Sequence, residues 1–372
     1  MKKMQGQKSQ DSLECDALVM GGGCIGLSVA NELAKHGQKV IVIEKDAIGH
    51  EATWASGGMI RSFTEDVDNE EFLELCIESQ HLYPDFVAEI EKDSGLNLEF
   101  RTEGGILPAF TADEEAALKI KCAIARRHGS QAKMMVRAEM LGIEPQLSAQ
   151  AISGLFMPSD HQINNRKLAL GLGQALLKRN GKILEHTTIR SILRDGDRTT
   201  GVMTNKGPVY AQNVINCMGA WTSSLIPEVT VKPIKGQMLR VETRDEVIHH
   251  IISWHPYYLI PRMGNTIIVG STVEDVGYDK EVTEDAFESL KRSFAKLLPG
   301  VRDYKIVERW AGLRPKSEDT FPVIGKIREG LYIAGGHFRN GILLAPVTAR
   351  LLALQIRTGM EDQRFSPKRF MK

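Results

Sequence analysis

Residues 17–44 read ALVMGGGCIGLSVANELAKHGQKVIVIE, and this stretch decides the fold. Ala17 to Met20 form a short apolar run. Gly21-Gly22-Gly23-Cys24-Ile25-Gly26 follows, then a helical stretch through Ala34 that stops at Gly37. The β-branched run Val40-Ile41-Val42-Ile43 comes next and ends on Glu44. These periods predict a strand–turn–helix–strand unit. The Gly21-x-Gly23-x-x-Gly26 spacing has a physical reason. Gly21 permits the tight turn, Gly23 lets a pyrophosphate approach the backbone, and Gly26 lets helix and strand pack closely. The pyrophosphate then rests on free N–H groups at a helix start, where the dipole favours negative charge. Glu44, at the end of the second strand, is placed to accept hydrogen bonds from ribose hydroxyls. Strand, helix and carboxylate agree on a dinucleotide site. The turn alone does not separate FAD from NAD.

Outward from this unit the chain changes character twice. Asp68 to Lys92 has helical periodicity and ends before Gly95, and Thr111-Ala112-Asp113-Glu114 reads as a capping box opening a helix to about Arg127. Residues 165–179 look helical, and Lys182 to His186 reads as a strand. From Ile189 to Ala211 the pattern alternates around the turns Asp195-Gly196 and Lys206-Gly207, and Asn213 to Cys217 is a buried strand. Several β segments succeed one another from Val231 to Val273, as in an antiparallel sheet. Leu331 to Ala334 is an apolar strand running into Gly335-Gly336, with a helix from about Ile342 to Arg357. Parallel-type strands at the start, near 182–217 and at the end, with β-rich material between, predict two interleaved domains. We place a nucleotide domain at 14–84, 147–227 and 305–372, a substrate domain at 85–146 and 228–304, and a tail at 1–13.

The chain of 372 residues is long enough for two cores. Lys+Arg and Asp+Glu both count 47, which argues against a broad nucleic-acid-binding surface or an acidic solvating tail. The basic clusters Lys2, Lys3, Lys8 and Arg126, Arg127 read as a frayed terminus and a solvated face. The cysteines Cys15, Cys24, Cys76, Cys122 and Cys217 contain no CxxC pair, so neither a zinc site nor a dithiol centre is suggested. Cys24 and Cys217 sit in apolar contexts and read as small buried hydrophobes. Residues 1–14 lack the apolar core of a signal peptide, and no uninterrupted apolar run reaches membrane-spanning length. The expected address is the cytoplasm.

The segment Gly49 to Met59, GHEATWASGGM, follows the second strand closely and is rich in small residues, which can bring backbone amides to a cofactor. Together with GGGCIG at 21–26, SGGM at 56–59, NVINCMGAWT at 213–222, RWAGLRP at 309–315 and GGHFRNGILLAP at 335–346, it resembles the glycine oxidase branch of the D-amino-acid oxidase superfamily of flavoproteins. The resemblance runs from about Cys15 to Gly359. It implies an α/β fold in which an FAD-binding Rossmann-like domain of glutathione-reductase type is interleaved with a mixed antiparallel β-sheet substrate domain. By matching motif, FAD contacts are expected from the turn (Gly21, Gly23, Cys24, Ile25, Gly26), from Glu44 and Lys45 at the ribose, and from Ala52, Thr53, Gly57, Gly58 and Met59 along the small-residue loop. Ile189 is expected to offer a backbone contact to the adenine. His337, Phe338, Arg339, Asn340, Gly341, Ile342 and Leu343 are expected to set backbone N–H groups against the pyrimidine end of the flavin. A helix start there stabilises charge on a reduced ring. The related sarcosine oxidases attach flavin to a cysteine near the position of Arg314. None stands there in this chain, so the FAD is expected to be non-covalent.

An amino-acid carboxylate is best met by a planar guanidinium. By resemblance Arg314 clamps the carboxylate, Arg339 supports it and the Tyr258 hydroxyl contacts it, while Tyr257 alternates to the opposite face. No triad, metal or general base is needed. The neutral amine is expected to pass a hydride from its α-carbon to flavin N5, the protein supplying orientation and electrostatics. His337 is expected to be structural or to act through its backbone. Val273 and Pro256 replace a methionine and a histidine of bacillus-type glycine oxidases, at positions expected to approach the substrate. The resemblance implies oxidation of glycine, and of sarcosine or small D-amino acids, through an imine, with oxygen as acceptor and hydrogen peroxide as product. It also implies supply of glycine imine for the thiazole of thiamine, and a homo-oligomer. Two alternatives stand beside it: a D-amino-acid, proline or cyanide-forming glycine dehydrogenase with a non-oxygen acceptor, and a non-catalytic flavin-binding subunit.

Overall fold

The computed structural model describes residues 13–63 and 69–371. Residues 1–12 of the expected tail at 1–13, with Lys2, Lys3 and Lys8, and the expected helix start at Asp68 lie outside the described residues, while Leu13 opens the first strand. The opening unit forms as its sequence requires: strand Leu13–Met20, helix Cys24–Lys35, strand Val40–Ile43. The Val-Ile-Val-Ile run is buried on both faces, the condition of a parallel strand inside an α/β sheet. Ala17, Val19, Val40 and Val42 pack against helices, while Leu18, Met20, Ile41 and Ile43 enter a separate cluster with Val202, Val209 and Ile333. Period two thus divides one strand pair between two cores.

The first sheet has the order Val323–Arg328, Leu331–Gly335, Gly207–Asn216, Leu13–Met20, Val40–Ile43, Lys182–Leu184. All its neighbours pair in parallel except the Val323–Arg328 edge. Strands Ile189–Asp195 and Arg198–Thr204 branch from Gly207–Asn216 as antiparallel partners. Helices Cys24–Lys35, Glu70–Ser94, Asn165–Lys178 and Gly341–Thr358 share the core on one face. The last is long and apolar enough to cross a membrane, yet it is the core helix of this layer, mostly buried.

The second sheet runs Tyr304–Ser317, Val231–Thr243, Thr266–Gly270, Tyr257–Arg262, Ile251–Trp254, Gly105–Ala109, Ser153–Met157, Lys133–Val136. It is antiparallel apart from one parallel pair, Ile251–Trp254 with Gly105–Ala109. Helix Glu284–Leu297 packs on one face through Phe287, Leu290, Phe294 and Leu297. A short ribbon, Met59–Ile60 with His161–Gln162, joins the layers. Strand membership differs from the sequence-based division at two places. Tyr304–Ser317 pairs along its length with Val231–Thr243, and Ser153–Met157 pairs with Gly105–Ala109, so both belong to the second sheet. Ladder hydrogen bonds with distant residues fix this, and linear order does not report them.

Candidate active site

A cavity of about 390 Å³ runs along the junction of the two sheets and is lined by residues of both. At one end lies the glycine turn. Gly21 has a φ of +105°, and a Cβ there would lie 2.5 Å from the Cys217 carbonyl oxygen. A Cβ on Gly23 would meet only Thr53 Oγ1, at 3.3 Å, so the approach from the cavity is open. Helices Glu70–Ser94, Ala112–Arg127 and Asn165–Lys178 are capped by the side chains of Asn69, Thr111 and Asn164. The two helices that start at the cavity, Cys24–Lys35 and Gly341–Thr358, have no such cap. Their first-turn N–H groups are the kind of donor that an anion or a polar ring satisfies. The Cys24 N–H donates to Thr53 Oγ1 at 2.9 Å, which leaves the Thr53 proton for a ligand.

Glu44 is fixed by two backbone donors, Gly22 N at 2.8 Å and Asp46 N at 3.0 Å, and a carboxylate keeps lone pairs beyond these two with which it could accept from ribose hydroxyls. Lys45 lies over the Trp221 ring at 4.1 Å from its centroid and pairs with Glu51 at 3.2 Å. Thr187, Thr188 and Ile189 line the same end. This set fits a dinucleotide: donors for phosphate, an acid for ribose, and an aromatic and aliphatic wall for a base.

The other end belongs to the second sheet. Tyr258 is buried, its hydroxyl 3.7 Å from Met238 Sδ, while Tyr257 points to the far face and meets Ser289 Oγ at 2.6 Å. Arg314 sits opposite Ile234 in the ladder, and its guanidinium passes over Gly236, where a Cβ would overlap it. Arg314 Nη2 donates to Ser271 Oγ at 2.7 Å and Nη1 to the Thr272 carbonyl at 3.2 Å. Arg339 lines the same cavity. The lining carboxylates are Glu44 and Glu51, both tied to the nucleotide end. Two guanidiniums, those of Arg314 and Arg339, therefore line this cavity together with the Tyr258 hydroxyl. His337 is buried, with Nε2 3.0 Å from Thr348 Oγ1, and burial pushes its pKa down to about 3. Its ring is neutral near pH 7 and turned onto the helix, which suits a structural residue and not a base. Arg262 is buried beside the small-residue loop, donating to Gly57 O and Gln162 Oε1, and burial lowers its pKa to about 10.

A family model described as FAD dependent oxidoreductase matches residues 16–355. The chain belongs to that family. FAD is the cofactor that its cavity fits. The chain is 35% identical over 343 residues to a glycine oxidase of Pseudomonas aeruginosa, covering 90% of this chain and 93% of that one. It is 34% identical to a bifunctional protein ThiO/ThiG of Trichormus variabilis, covering 91% of this chain and 52% of that protein, so it spans about half of that longer relative. The crystal structure of a glycine oxidase from Geobacillus kaustophilus superposes with a TM-score of 0.91 at 27% identity, covering 96% of this chain and 98% of that one.

Of the residues expected to hold FAD or substrate, Gly21, Gly23, Cys24, Ile25, Glu44, Lys45, Ala52, Thr53, Gly57, Gly58, Met59, Ile189, Tyr258, Arg314, His337, Phe338, Arg339, Gly341 and Ile342 all line this cavity. Gly26, Asn340 and Leu343 do not. A Cβ on Gly26 would overlap the Gly21 carbonyl, so this glycine serves turn-to-helix packing. The Asn340 N–H is spent on the His337 carbonyl at 2.9 Å, and the Leu343 side chain is buried among the helices. Val273 is 50% exposed and Pro256 lies in a hairpin turn, and neither lines the cavity. Sequence reasoning missed Gly236, Met238 and Ser271, which line the cavity beside Arg314 and Tyr258. Only Gly236 left a signal, as a glycine inside a β-patterned run.

Proposed function

We propose that this flavoprotein is an amino-acid oxidase of glycine-oxidase type, acting on glycine and on sarcosine or small D-amino acids. The observation that supports this reading is that Arg314, Arg339, Tyr258 and Ser271 line one cavity together with the dinucleotide residues. A substrate carboxylate is the complement of the two guanidiniums. Arg314 binds it through a guanidinium whose other donors rest on Ser271 Oγ and the Thr272 carbonyl, so the fork is preorganised. Arg339 adds the second positive charge, and Tyr258 donates its hydroxyl proton from a buried wall with Met238 and Ile260 that keeps water out. His337, buried and held on Thr348 Oγ1, is not assigned the amine proton; the amine is oxidised in its unprotonated form, its proton having passed to water. FAD held along this cavity would supply the redox chemistry, so that hydride loss from the substrate Cα would leave an imine. Water hydrolyses the imine, and the balance is glycine plus oxygen plus water giving glyoxylate, ammonia and hydrogen peroxide. Released unhydrolysed, the imine serves thiazole formation in thiamine synthesis, the reading that the ThiO/ThiG relative supports.

The test is to follow peroxide formation and anaerobic flavin bleaching with glycine, sarcosine, D-alanine and D-proline. Absence of bleaching by all four refutes the proposal. Fast bleaching followed by slow reoxidation in air assigns the electrons to an acceptor other than oxygen.

A further inference from the structure

Strand Tyr257–Arg262 presents Tyr258, Ile260 and Arg262 on one face by two-residue alternation. All three abut the Gly57-Gly58 segment. A Cβ on Gly57 would lie 2.7 Å from Ile260 Cδ1 and 3.3 Å from Tyr258 Cε2, and one on Gly58 would lie 2.7 Å from Arg262 Nη2. Arg262 is 8% exposed, and its two hydrogen-bond acceptors are neutral: Gly57 O from Nη2 and Gln162 Oε1 from Nη1, each at 2.7 Å. Gln162 lies on the strand paired with Met59–Ile60, so one guanidinium ties both sides of the ribbon that carries the small-residue loop.

The peptide joining Gly57 to Gly58 is trans. Pinning its carbonyl oxygen on Arg262 therefore turns the Gly58 N–H to the opposite side. The next carbonyl, Gly58 O, accepts from Ile163 N at 2.9 Å. Both glycines line the cavity, and among the described residues neither N–H donates to a protein acceptor. Two carbonyls are thus drawn back into the protein while two donors are left at the cofactor cavity. A neutral side chain would hold Gly57 O without the cost of burying a cation.

We propose that Arg262 is a positioning residue for the bound FAD, orienting the Gly57–Gly58 peptide and polarising its N–H toward the flavin so that the ring accepts electrons more readily. A cation on a carbonyl oxygen strengthens the N–H of the same peptide as a donor. In a buried site its charge favours an electron-rich neighbour more than it would in water. The inference rests on FAD in this cavity and not on the amine substrate. Its test therefore uses sulfite, a nucleophile that adds to electron-poor flavins and bleaches their visible band. In holoenzyme carrying Arg262→Gln, sulfite affinity is expected to fall roughly tenfold, the size of one charge-assisted hydrogen bond. The flavin midpoint potential is expected to drop with it, while acetate binding at Arg314 is unchanged. Arg262→Lys keeps the charge without the two-armed fork and is expected to fall between the two. Wild-type sulfite affinity and potential in R262Q overturn the proposal, as does a parallel loss of acetate binding, which marks general disruption of the site. Should only R262K give folded holoenzyme, unchanged sulfite affinity there overturns it equally, because a lysine cannot span both acceptors.

Discussion

Gly236→Ala places one methyl group beneath the Arg314 guanidinium. The new Cβ would overlap Nη1, Nη2 and Cζ together, so the flexible end of the arginine has to move. Gly236 has no left-handed φ, so alanine suits the strand itself, and the strain falls on the side chain. Arg314 must swing away from Ser271 Oγ and the Thr272 carbonyl, and with them from a bound carboxylate. One charge-assisted hydrogen bond is worth about 1.5–3 kcal/mol, or roughly ten- to a hundredfold in kcat/KM. Steady-state kinetics with glycine should show this as a raised KM, and acetate inhibition should weaken in parallel. FAD absorbance and FAD affinity should stay at wild-type values, because the nucleotide end is untouched. A G236A enzyme with wild-type KM and acetate affinity would refute the assignment of Arg314 to the substrate carboxylate.

Tyr258→Phe removes a hydroxyl whose partner here is a weak thioether acceptor, so stability should change by less than about 0.5 kcal/mol. KM for glycine should nevertheless rise about threefold to tenfold; an unchanged KM would place the hydroxyl outside the substrate site. His337 makes stability depend on pH. Its folded pKa, about 3, lies below the ordinary 6.5, so between those values the unfolded chain holds more protons and stability falls as pH falls. At pH 5 the wild type should lose about 2 kcal/mol relative to pH 8 from this group, a loss absent in His337→Asn. Denaturation curves of the two proteins that stay parallel from pH 8 to pH 5 would show that the ring titrates normally in the fold.

The reach of each interaction along the chain separates what was legible beforehand from what was not. The dinucleotide unit is signalled by features inside residues 17–44: a left-handed glycine, a helix start and a carboxylate one strand away. These features lie within one strand–turn–helix–strand stretch, so turn chemistry and hydrophobic period made it legible even though Cys217 and Thr53 complete its packing. The membership of Tyr304–Ser317 in the second sheet was not legible, because a strand that alternates between exposed and half-buried residues over its first part shows a pattern but not a partner. Arg314 is singled out by motif, yet its orientation comes from Gly236, Ser271 and Thr272 on other segments. Arg262 gave no sign in the sequence, since a charged residue after a strand normally faces water. Burial against Gly57, some two hundred positions away, converts it into a clamp on the cofactor loop. Local pattern in the chain was enough to specify a dinucleotide-binding unit. Which side chains line the far end of its cavity depended on folding, because hydrogen bonds and close packing between distant segments set their direction.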